Sequence, residues 1–280
     1  MRTIPIITLT TDFGVADGYA ATMKGVMLDI NPRAQLIDIT HEIPPQNVRQ
    51  TAYILHTAYR FFPSRTVHLV VVDPGVGSPR RPIAVRTSRG AFVGPDNGVF
   101  SYVMADDVVE AVVQLADSRY RLPEVSRTFH GRDVFAPAAA HLAAGVPIDQ
   151  LGPEVSDAVT LPLPILEVES DAISGEVLHA DRFGNVITSI GRLLWKDDGL
   201  LLVPAFREGV AERVRFDSRK ALVTVAGQEL RGLRRTYADV MPGDLLALVG
   251  SEGHAEIAVR EGSAAERLGL QPGDRVELRC

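Results

Sequence analysis

The stretch VHLVVVDPGVG, residues 67–77, decides the fold of this chain. Its first part, Val67–Val72, is an almost unbroken apolar and β-branched run, which is typical of a central strand covered on both faces. The turn-forming residues Asp73 to Gly77 follow it directly. We therefore predict a buried strand of a parallel sheet with a polar loop at its carboxyl end.

Strand and helix patterns alternate around this segment. Apolar positions at helical spacing predict a helix over Tyr19–Ile30 with Asp17 as its N-cap, and a second helix that begins after the capping residue Asn47. An alanine-rich helix is predicted at Phe135–Leu142. The remaining strand patterns are Ile4–Leu9, Ala34–Ile39, Ile83–Val85, Ala91–Val93 and Val108–Leu115. This alternation predicts an α/β N-terminal domain with a central, mostly parallel sheet.

The pattern changes at about Pro162. Short alternating runs are separated by Gly, Asp and Pro turns, which indicates a C-terminal all-β, barrel-like domain. We place the α/β domain at residues 1–160 and the barrel-like domain at 166–280, with the proline-containing segment Leu151–Pro164 as the linker.

Composition excludes several classes of protein. Apolar residues make up 46% and charged residues 23%, which is ordinary globular composition and excludes disordered, collagenous and coiled-coil chains. The net charge is −6 without a basic block, so we expect no nucleic-acid partner. No run approaches the ~18 apolar residues of a membrane helix, so no membrane association is expected. The one cysteine, Cys280, permits neither an intrachain disulfide nor a cysteine-based metal site, which favours a cytoplasmic location.

Three acidic loops follow predicted strands, and they are the first candidates for a functional site. They are Thr10–Gly14, Asp73–Gly77 and Gly94–Gly98. In open α/β sheets, ligands bind beyond the carboxyl ends of the strands. Asp, Gly and Pro also make ordinary turns, but Asp12 and Asp73 each directly follow an apolar run, which favours a site.

Two further motifs carry suitable side chains. His130 precedes the alanine-rich helix, whose dipole would lower the pKa of the imidazole and leave a neutral ring that can accept a proton. The segment Asp181–Asn185 lies between two strands and is also consistent with a hairpin turn in which Gly184 has a positive φ. Its Asn185 amide can read an adenine edge, and Phe183 can stack on the ring.

Five ordered motifs resemble those of the S-adenosyl-L-methionine (SAM) hydroxide adenosyltransferases, or SAM hydrolases, whose superfamily contains the SAM-dependent fluorinase and chlorinase. These motifs are Thr10–Gly14, Asp73–Gly77, Gly94–Gly98, Phe129–Asp133 and Phe183–Asn185. The resemblance implies a homotrimer whose site lies between the N-domain of one subunit and the C-domain of the next. It also implies hydrolysis of SAM to adenosine and methionine by attack of water at the ribose C5′. SAM is then the substrate, and no cofactor and no metal are expected.

The resemblance also implies roles for individual residues. Asp73, Arg80 and His130 would position and activate the water. Asp12 would hold the ribose hydroxyls. The remaining substrate contacts would come from Phe183 and Asn185 to adenine, Asp181 to the methionine amine and Ser251 near the methionine carboxylate.

The SAM-dependent halogenases remain an alternative that can be compared residue by residue. The fluorinase has Tyr where this chain has Asp73, Ser where it has Gly131 and Trp where it has Gln46. Its long N-domain insertion is also missing here. The chain therefore matches the water-using branch, although Glu252 stands where the halogenases have an Arg near the carboxylate.

Two other interpretations come from different classes of protein. Asp12 and Asp17 resemble part of the calcium cluster of metal-dependent nucleoside hydrolases, but a hard cation needs six to eight oxygens and few carboxylates are present. The segment Glu261–Asp274 resembles the end of a PDZ domain. The ordinary alternative for that segment is a short helix and a Pro-Gly-Asp turn before the last strand.

Overall fold

The strand predicted at Val67–Val72 is formed by Thr66–Val71, where all six residues are buried. In the computed structural model it belongs to the first of two units, which span residues 1–162 and 163–280. The structure describes residues 4–169, 172–197, 199–205 and 214–280.

In its described residues, the first unit alternates strands and helices. In chain order these are β1 (Ile6–Thr11), α1 (Tyr19–Ile30), β2 (Gln35–Thr40), α2 (Val48–Ala58), β3 (Thr66–Val71), β4 (Pro82–Thr87), β5 (Gly90–Pro95), α3 (Ser101–Asp106), β6 (Val109–Gln114) and α4 (Ala136–Ala143). Short 3₁₀ turns lie at Tyr59–Phe61, Ser118–Tyr120 and Ile148–Leu151, and a π-helical turn at Gly131–Phe135 leads into α4.

The six strands form one sheet in the order β2-β1-β3-β5-β4-β6. The pairs β2–β1, β1–β3 and β3–β5 are parallel, and β4 joins β5 and β6 antiparallel. Apolar clusters cover both faces: Met23 and Met27 of α1 pack with α4 on one, and Leu55 of α2 packs with Val103 of α3 on the other. The predicted α/β fold with a mostly parallel sheet is confirmed.

The ends of the helices show which capping predictions hold. Asn47 caps α2, since its side chain accepts a hydrogen bond from the backbone N–H of Gln50 at 3.0 Å. The prediction of Asp17 as a cap is wrong. Gly18 occupies the N-cap of α1, and no side chain caps that end. The short helix α3 was not predicted, because its six residues are too few to display a helical period.

The second unit is built almost entirely of strands in its described part. They are β7 (Leu166–Val168), β8 (Ala172–Ala180), β9 (Val186–Thr188), β10 (Leu193–Lys196), β11 (Gly199–Leu202), β12 (Val214–Asp217), β13 (Leu222–Val225), β14 (Gln228–Arg231), β15 (Leu233–Arg234), β16 (Leu245–Val249), β17 (Ala255–Val259) and β18 (Arg275–Arg279). A 3₁₀ turn at Tyr237–Asp239 and a short helix, α5 (Ala264–Leu268), complete it.

Nine of these strands form a sheet in the order β14-β13-β18-β8-β9-β17-β16-β15, with β7 paired to β8. The sheet encloses a core that includes Val177, Val186, Ile257 and Val276, so the prediction of a barrel-like all-β domain is confirmed. The PDZ-like segment adopts the ordinary alternative. Ser263 caps α5, and Gly269 ends it in the left-handed conformation.

His68, in the middle of β3, generates a prediction about stability. Its side chain is 1% exposed, its Nδ1 lies 2.8 Å from Thr8 Oγ1, and burial lowers its pKa to about 3. In the unfolded chain the imidazole of His68 takes up a proton below about pH 6.5, whereas in the folded chain it does so only below about pH 3. The free energy of unfolding should therefore fall as pH drops below 6.5, by up to about 1.4 kcal/mol per pH unit from this group.

Urea unfolding at pH 7 and pH 5 tests this effect. In His68→Gln the difference in unfolding free energy between the two pH values should shrink by about 2 kcal/mol, because glutamine does not titrate. Thr8→Val is the control, since it removes the partner hydroxyl but keeps the imidazole, and its pH dependence should match the wild type. Equal pH dependence in wild type and His68→Gln would contradict the prediction.

Candidate active site

The predicted acidic loops lie at one edge of the parallel sheet, because β1, β3 and β5 run in the same direction. Asp12, Asp73 and Asp96 follow these three strands in turn. Asp96 has a structural role, since its carboxylate accepts hydrogen bonds from Arg81 Nε at 2.8 Å and from the backbone N–H of Val159 at 2.8 Å. Asp73 and Asp12 are therefore the stronger candidates for contact with a ligand.

Asp73, Arg80 and His130 form one hydrogen-bonded cluster. The Arg80 guanidinium donates to both carboxylate oxygens of Asp73, from Nε to Oδ1 at 2.9 Å and from Nη2 to Oδ2. Arg80 Nη2 also lies 2.8 Å from His130 Nδ1. The side chains of Arg80 and Asp73 are only 9% and 6% exposed. His130, 50 positions beyond Arg80, thus joins a nearly buried ion pair.

Close packing holds the guanidinium in place. Arg80 lies over the ring of Phe135, with its Cζ 5.2 Å from the ring centroid. On the loop after β3, a Cβ added to Gly75 would stand 3.1 Å from Arg80 Cγ, so glycine permits this approach. Among the described residues, buried Arg80 Nη1 has no hydrogen-bond partner. A buried donor of this kind is costly unless a ligand accepts its hydrogen, which marks Nη1 as a contact point for a ligand oxygen.

The contact with Arg80 defines the state of His130. A guanidinium has no acceptor, so Nδ1 must supply the lone pair, and the neutral ring then carries its proton on Nε2. Burial and, next, the charge of Arg80 lower the pKa of His130, whereas Asp73 and Asp133 oppose the shift. The lowered pKa was predicted from the dipole of the following helix. The direction agrees with that prediction, and burial is the largest cause, followed by the neighbouring guanidinium.

Asp12 is held by the loop that follows β2. Its Oδ2 accepts a hydrogen bond at 2.8 Å from the backbone N–H of Gln46, a residue with a φ of 66°. His41 joins the same two loops: its Nδ1 lies 2.8 Å from Thr11 Oγ1, and its carbonyl oxygen accepts from the N–H of Gly14 at 2.8 Å. The contact of His41 with Thr11 was not predicted, because the two residues lie 30 positions apart.

An aromatic cluster connects the loop of Asp12 with the loop of His130. Phe13 follows Asp12, and Phe129 precedes His130. Their ring centroids are 5.9 Å apart, and Tyr19 contacts both rings at 5.6 and 5.2 Å. Contacts of this kind in edge-on or tilted geometry stabilise loops beyond simple burial. The cluster therefore brings the two predicted site residues to the same edge of the sheet.

In the second unit, Asp181 organises the predicted loop between β8 and β9. Its Oδ1 accepts from the backbone N–H groups of Phe183 and Asn185, both at 2.9 Å, and its Oδ2 accepts from Asn185 Nδ2 at 3.0 Å. Gly184 has a φ of 80°, and any Cβ there would collide with Ser263 Oγ. The hairpin geometry and the site residues thus belong to the same turn, which leaves the Phe183 side chain 77% exposed.

This loop forms one wall of a cavity of about 860 Å³. Asp181, Phe183 and Asn185 line it, opposite a wall that runs from Val259 to Glu266. Tyr237 also lines the cavity, and its hydroxyl donates to Glu256 Oε1 at 2.5 Å. Sequence reasoning missed Tyr237 and Glu256, since no motif surrounds either residue.

The predicted residue Ser251 does not line this cavity. It is exposed in the turn between β16 and β17, where the N–H of Gly253 donates to the carbonyl oxygen of Gly250 at 2.9 Å. The turn nevertheless lies close to Glu256, since a Cβ on Gly250 would stand 2.5 Å from Glu256 Oε2.

Neither a metal cluster nor a membrane span is found in the part of the chain that the structure describes. No group of three or more His, Cys, Asp or Glu side chains there is arranged to hold a metal ion. Asp12 and Asp17 therefore do not assemble the calcium cluster that the nucleoside hydrolase interpretation requires. The described helices are likewise too short or too polar to cross a bilayer.

The Arg80–His130 contact generates a testable prediction. Long-range ¹H–¹⁵N NMR should show a neutral His130 ring protonated at Nε2, with a pKa below 6.5. In Arg80→Gln the pKa should rise, because a positive charge beside the imidazolium is removed. Arg81→Gln is the matched control, since Arg81 pairs with Asp96 and Asp157 and should leave the pKa of His130 unchanged. A wild-type pKa of 6.5 or above would contradict the prediction.

Comparisons with known proteins give one family-model match in each of the two units. The family model of the SAM hydroxide adenosyltransferase N-terminal domain matches residues 7–152, and that of the C-terminal domain matches residues 175–277. A protein of Salinispora tropica named (R)-S-adenosyl-L-methionine hydrolase is 42% identical over 282 residues, which cover 99% of each chain.

A crystal structure of a conserved protein from Thermotoga maritima has a TM-score of 0.84 and 35% identity, and the match covers 98% of this chain and 100% of that one. A fluorinase of Actinopolyspora mzabensis is more distant, at 28% identity over 303 residues that cover 98% of this chain and 97% of the fluorinase. The resemblance found in the sequence motifs is thereby confirmed over nearly the whole length. The chain belongs to the SAM hydroxide adenosyltransferase family.

Proposed function

We propose that this protein hydrolyses SAM to adenosine and L-methionine by attack of water at the ribose C5′ carbon. The observation that carries this proposal is the buried cluster of Asp73, Arg80 and His130, which offers a carboxylate and a buried guanidinium N–H at one place. Membership of the family and the name of the Salinispora tropica relative support the same reaction.

The chemistry of SAM needs few catalytic groups. The water oxygen forms a bond to C5′ while the C5′–S bond breaks. The electron pair of the breaking bond remains on sulfur. The sulfonium thus leaves as the neutral thioether of methionine, so the leaving group needs no acid. Water is a weak nucleophile that must lie opposite the C–S bond, and this alignment is what a preorganised site can supply. The attacking oxygen finally loses one proton.

We assign the proton acceptor to Asp73. Its two oxygens each accept one N–H of Arg80, but a carboxylate has lone pairs for further hydrogen bonds. Arg80 Nη1 would hold the oxygen of the attacking water. His130 would act as the acceptor that fixes Arg80, because its Nδ1 lone pair is engaged by the guanidinium and Nε2 carries the proton. This assignment differs from a His130 base, which the sequence alone favoured.

The remaining residues would bind the substrate. Asp12 would accept hydrogen bonds from the ribose hydroxyls through the lone pairs that Gln46 leaves available. In the cavity of the second unit, Phe183 would stack on adenine and Asn185 would hydrogen-bond to it. Asp181 would bind the methionine amine, and Ser251 the carboxylate. SAM is the substrate in this scheme, and the reaction uses no cofactor or metal.

The reaction is tested by incubating the protein with SAM in H₂¹⁸O and identifying the products by mass spectrometry. We expect adenosine that carries ¹⁸O at its 5′-hydroxyl and unlabelled methionine, because water attacks C5′. The same products should form with EDTA and with added fluoride, chloride or bromide. The proposal would be overturned by ¹⁸O in a product other than adenosine or by formation of a 5′-halogenated nucleoside. It would also be overturned if EDTA abolished the activity and one cation restored it.

Three variants examine the roles of the cluster in the same assay. Asp73→Asn should lower kcat by at least about 10²-fold, as expected for loss of a positioned proton acceptor. His130→Gln should retain more activity than His130→Ala, since the glutamine carbonyl can still accept a hydrogen bond from Arg80. If His130 were instead the base, both variants should lose activity to the same extent. Arg81→Gln is the control for surface charge and should behave like the wild type.

We also propose that the protein is a cytoplasmic homotrimer. The family resemblance is the support for the trimer, and the single cysteine is compatible with a reducing compartment. In this arrangement Asp73 of one subunit and Asn185 of the next serve the same active site. The two sets of residues lie in different units of the chain, as such a shared site requires.

Complementation tests the shared site. Asp73→Ala and Asn185→Ala proteins should each be nearly inactive, but equal amounts mixed, denatured together and refolded should recover activity. If subunits combine at random, about a quarter of the interfaces in a cyclic head-to-tail trimer carry both wild-type residues. Each variant refolded alone is the control. No recovery, despite subunit exchange confirmed by mass spectrometry, would contradict an active site shared between subunits.

A further inference from the structure

The Asn185 side chain is held by a hydrogen-bond network that uses both hydrogens of its amide. Its Nδ2 lies 3.0 Å from Asp181 Oδ2 and 3.4 Å from the hydroxyl oxygen of Tyr237. The Tyr237 hydroxyl has a single hydrogen and donates it to Glu256 Oε1 at 2.5 Å. Tyr237 can therefore act only as an acceptor toward Asn185.

The network selects one orientation of the Asn185 amide. With the amide reversed, the Oδ1 carbonyl would face the carboxylate of Asp181 and a hydroxyl whose hydrogen is already committed to Glu256. Both contacts would then join two acceptors, which is unfavourable in a buried site. Asn185 is 7% exposed, so water offers little relief.

The group that Asn185 has left for a ligand is consequently an acceptor. Among the described residues, no donor reaches Oδ1. Asn185 and Tyr237 both line the cavity, where Phe183 offers an exposed aromatic ring. A carbonyl oxygen can accept from an exocyclic amino group, whereas it opposes an exocyclic carbonyl oxygen.

We propose that Tyr237, held by Glu256, is a positioning residue that sets the base specificity of this cavity. By keeping Asn185 Oδ1 as the ligand-facing acceptor, it selects purines with a 6-amino group over those with a 6-oxo group. This inference rests on the proposed function, which assigns the adenine moiety to the cavity. It adds two residues, Tyr237 and Glu256, that act through Asn185 without requiring contact with the reacting atoms.

The inference is tested by measuring the dissociation constants of adenosine, inosine and purine riboside by calorimetry. Wild-type protein should prefer adenosine to inosine by at least about tenfold, with purine riboside, which lacks the 6-substituent, between them. Tyr237→Phe removes the hydroxyl that accepts from Asn185. In Glu256→Gln, the glutamine amide can donate to the Tyr237 hydroxyl oxygen, which frees the hydroxyl hydrogen for Asn185. In both variants the preference for adenosine should fall at least about threefold. Tyr120→Phe, which loses a hydroxyl contact with Gln150 in the first unit, is the matched control and should keep the wild-type preference.

The ratio of the dissociation constants for inosine and adenosine separates a role in specificity from a purely structural role. Loss of affinity for both nucleosides in equal proportion, in both variants, would overturn the inference and leave the proposed function intact. Equal affinity of the wild-type protein for adenosine and inosine would also overturn the inference and leave the proposed function intact. Failure of the wild-type protein to bind adenosine at all would instead count against the proposed function, and with it the inference.

Discussion

A buried guanidinium is the interaction on which the candidate site depends. Arg80 is nearly excluded from solvent, so its charge must be compensated within the protein, and Asp73 and His130 provide the carboxylate and the lone pair that do so. The loop that follows the buried strand β3 carries both Asp73 and Arg80 and brings the guanidinium to the carboxylate. Removal of Asp73 would leave an uncompensated buried charge.

The same physical logic operates in both units of the chain. In the first, Arg80 can only donate, so it determines which nitrogen of His130 carries the proton. In the second, Asp181 and Tyr237 act as acceptors, so they determine which end of the Asn185 amide is left for a ligand. Imidazole and amide groups can each present a donor or an acceptor. Their neighbours, and not the residue type alone, decide their chemistry.

Sequence reasoning succeeded where the signal is local and periodic. The apolar run at Val67–Val72 and the capping pair at Asn47 both lie where they were predicted, within one or two residues. These features depend on neighbours in the chain. The short helix α3 lacked such a signal, and the predicted capping role of Asp17 was wrong because Gly18 occupies the N-cap of α1.

The long-range contacts of the site could not be predicted in the same way. Glu256 lies near Asn185 because β9 and β17 are neighbours in the sheet, a pairing that connects positions about 70 residues apart, and Tyr237 contacts both side chains from the turn before β16. The cause of the lowered pKa of His130 was missed for the same reason, since Arg80 lies 50 positions away. Motif resemblance named the ligand-binding candidates, but only packing reveals which groups orient them.

The packing around Gly131 bears on why such a site would use water and not halide. A Cβ at this position would meet Met23 Sδ at 3.0 Å, Phe129 Cε2 at 3.2 Å and Val71 Cγ1 at 3.3 Å. The serine that the fluorinase has here would therefore require the side chains of Met23, Phe129 and Val71 to shift by a few tenths of an ångström. Because Phe129 also packs against Phe13, which follows Asp12, a serine at this position would disturb the packing of the sheet edge around both Asp12 and His130. The packing beneath the site thus restricts the residue at position 131, in addition to the side chains that would touch the substrate.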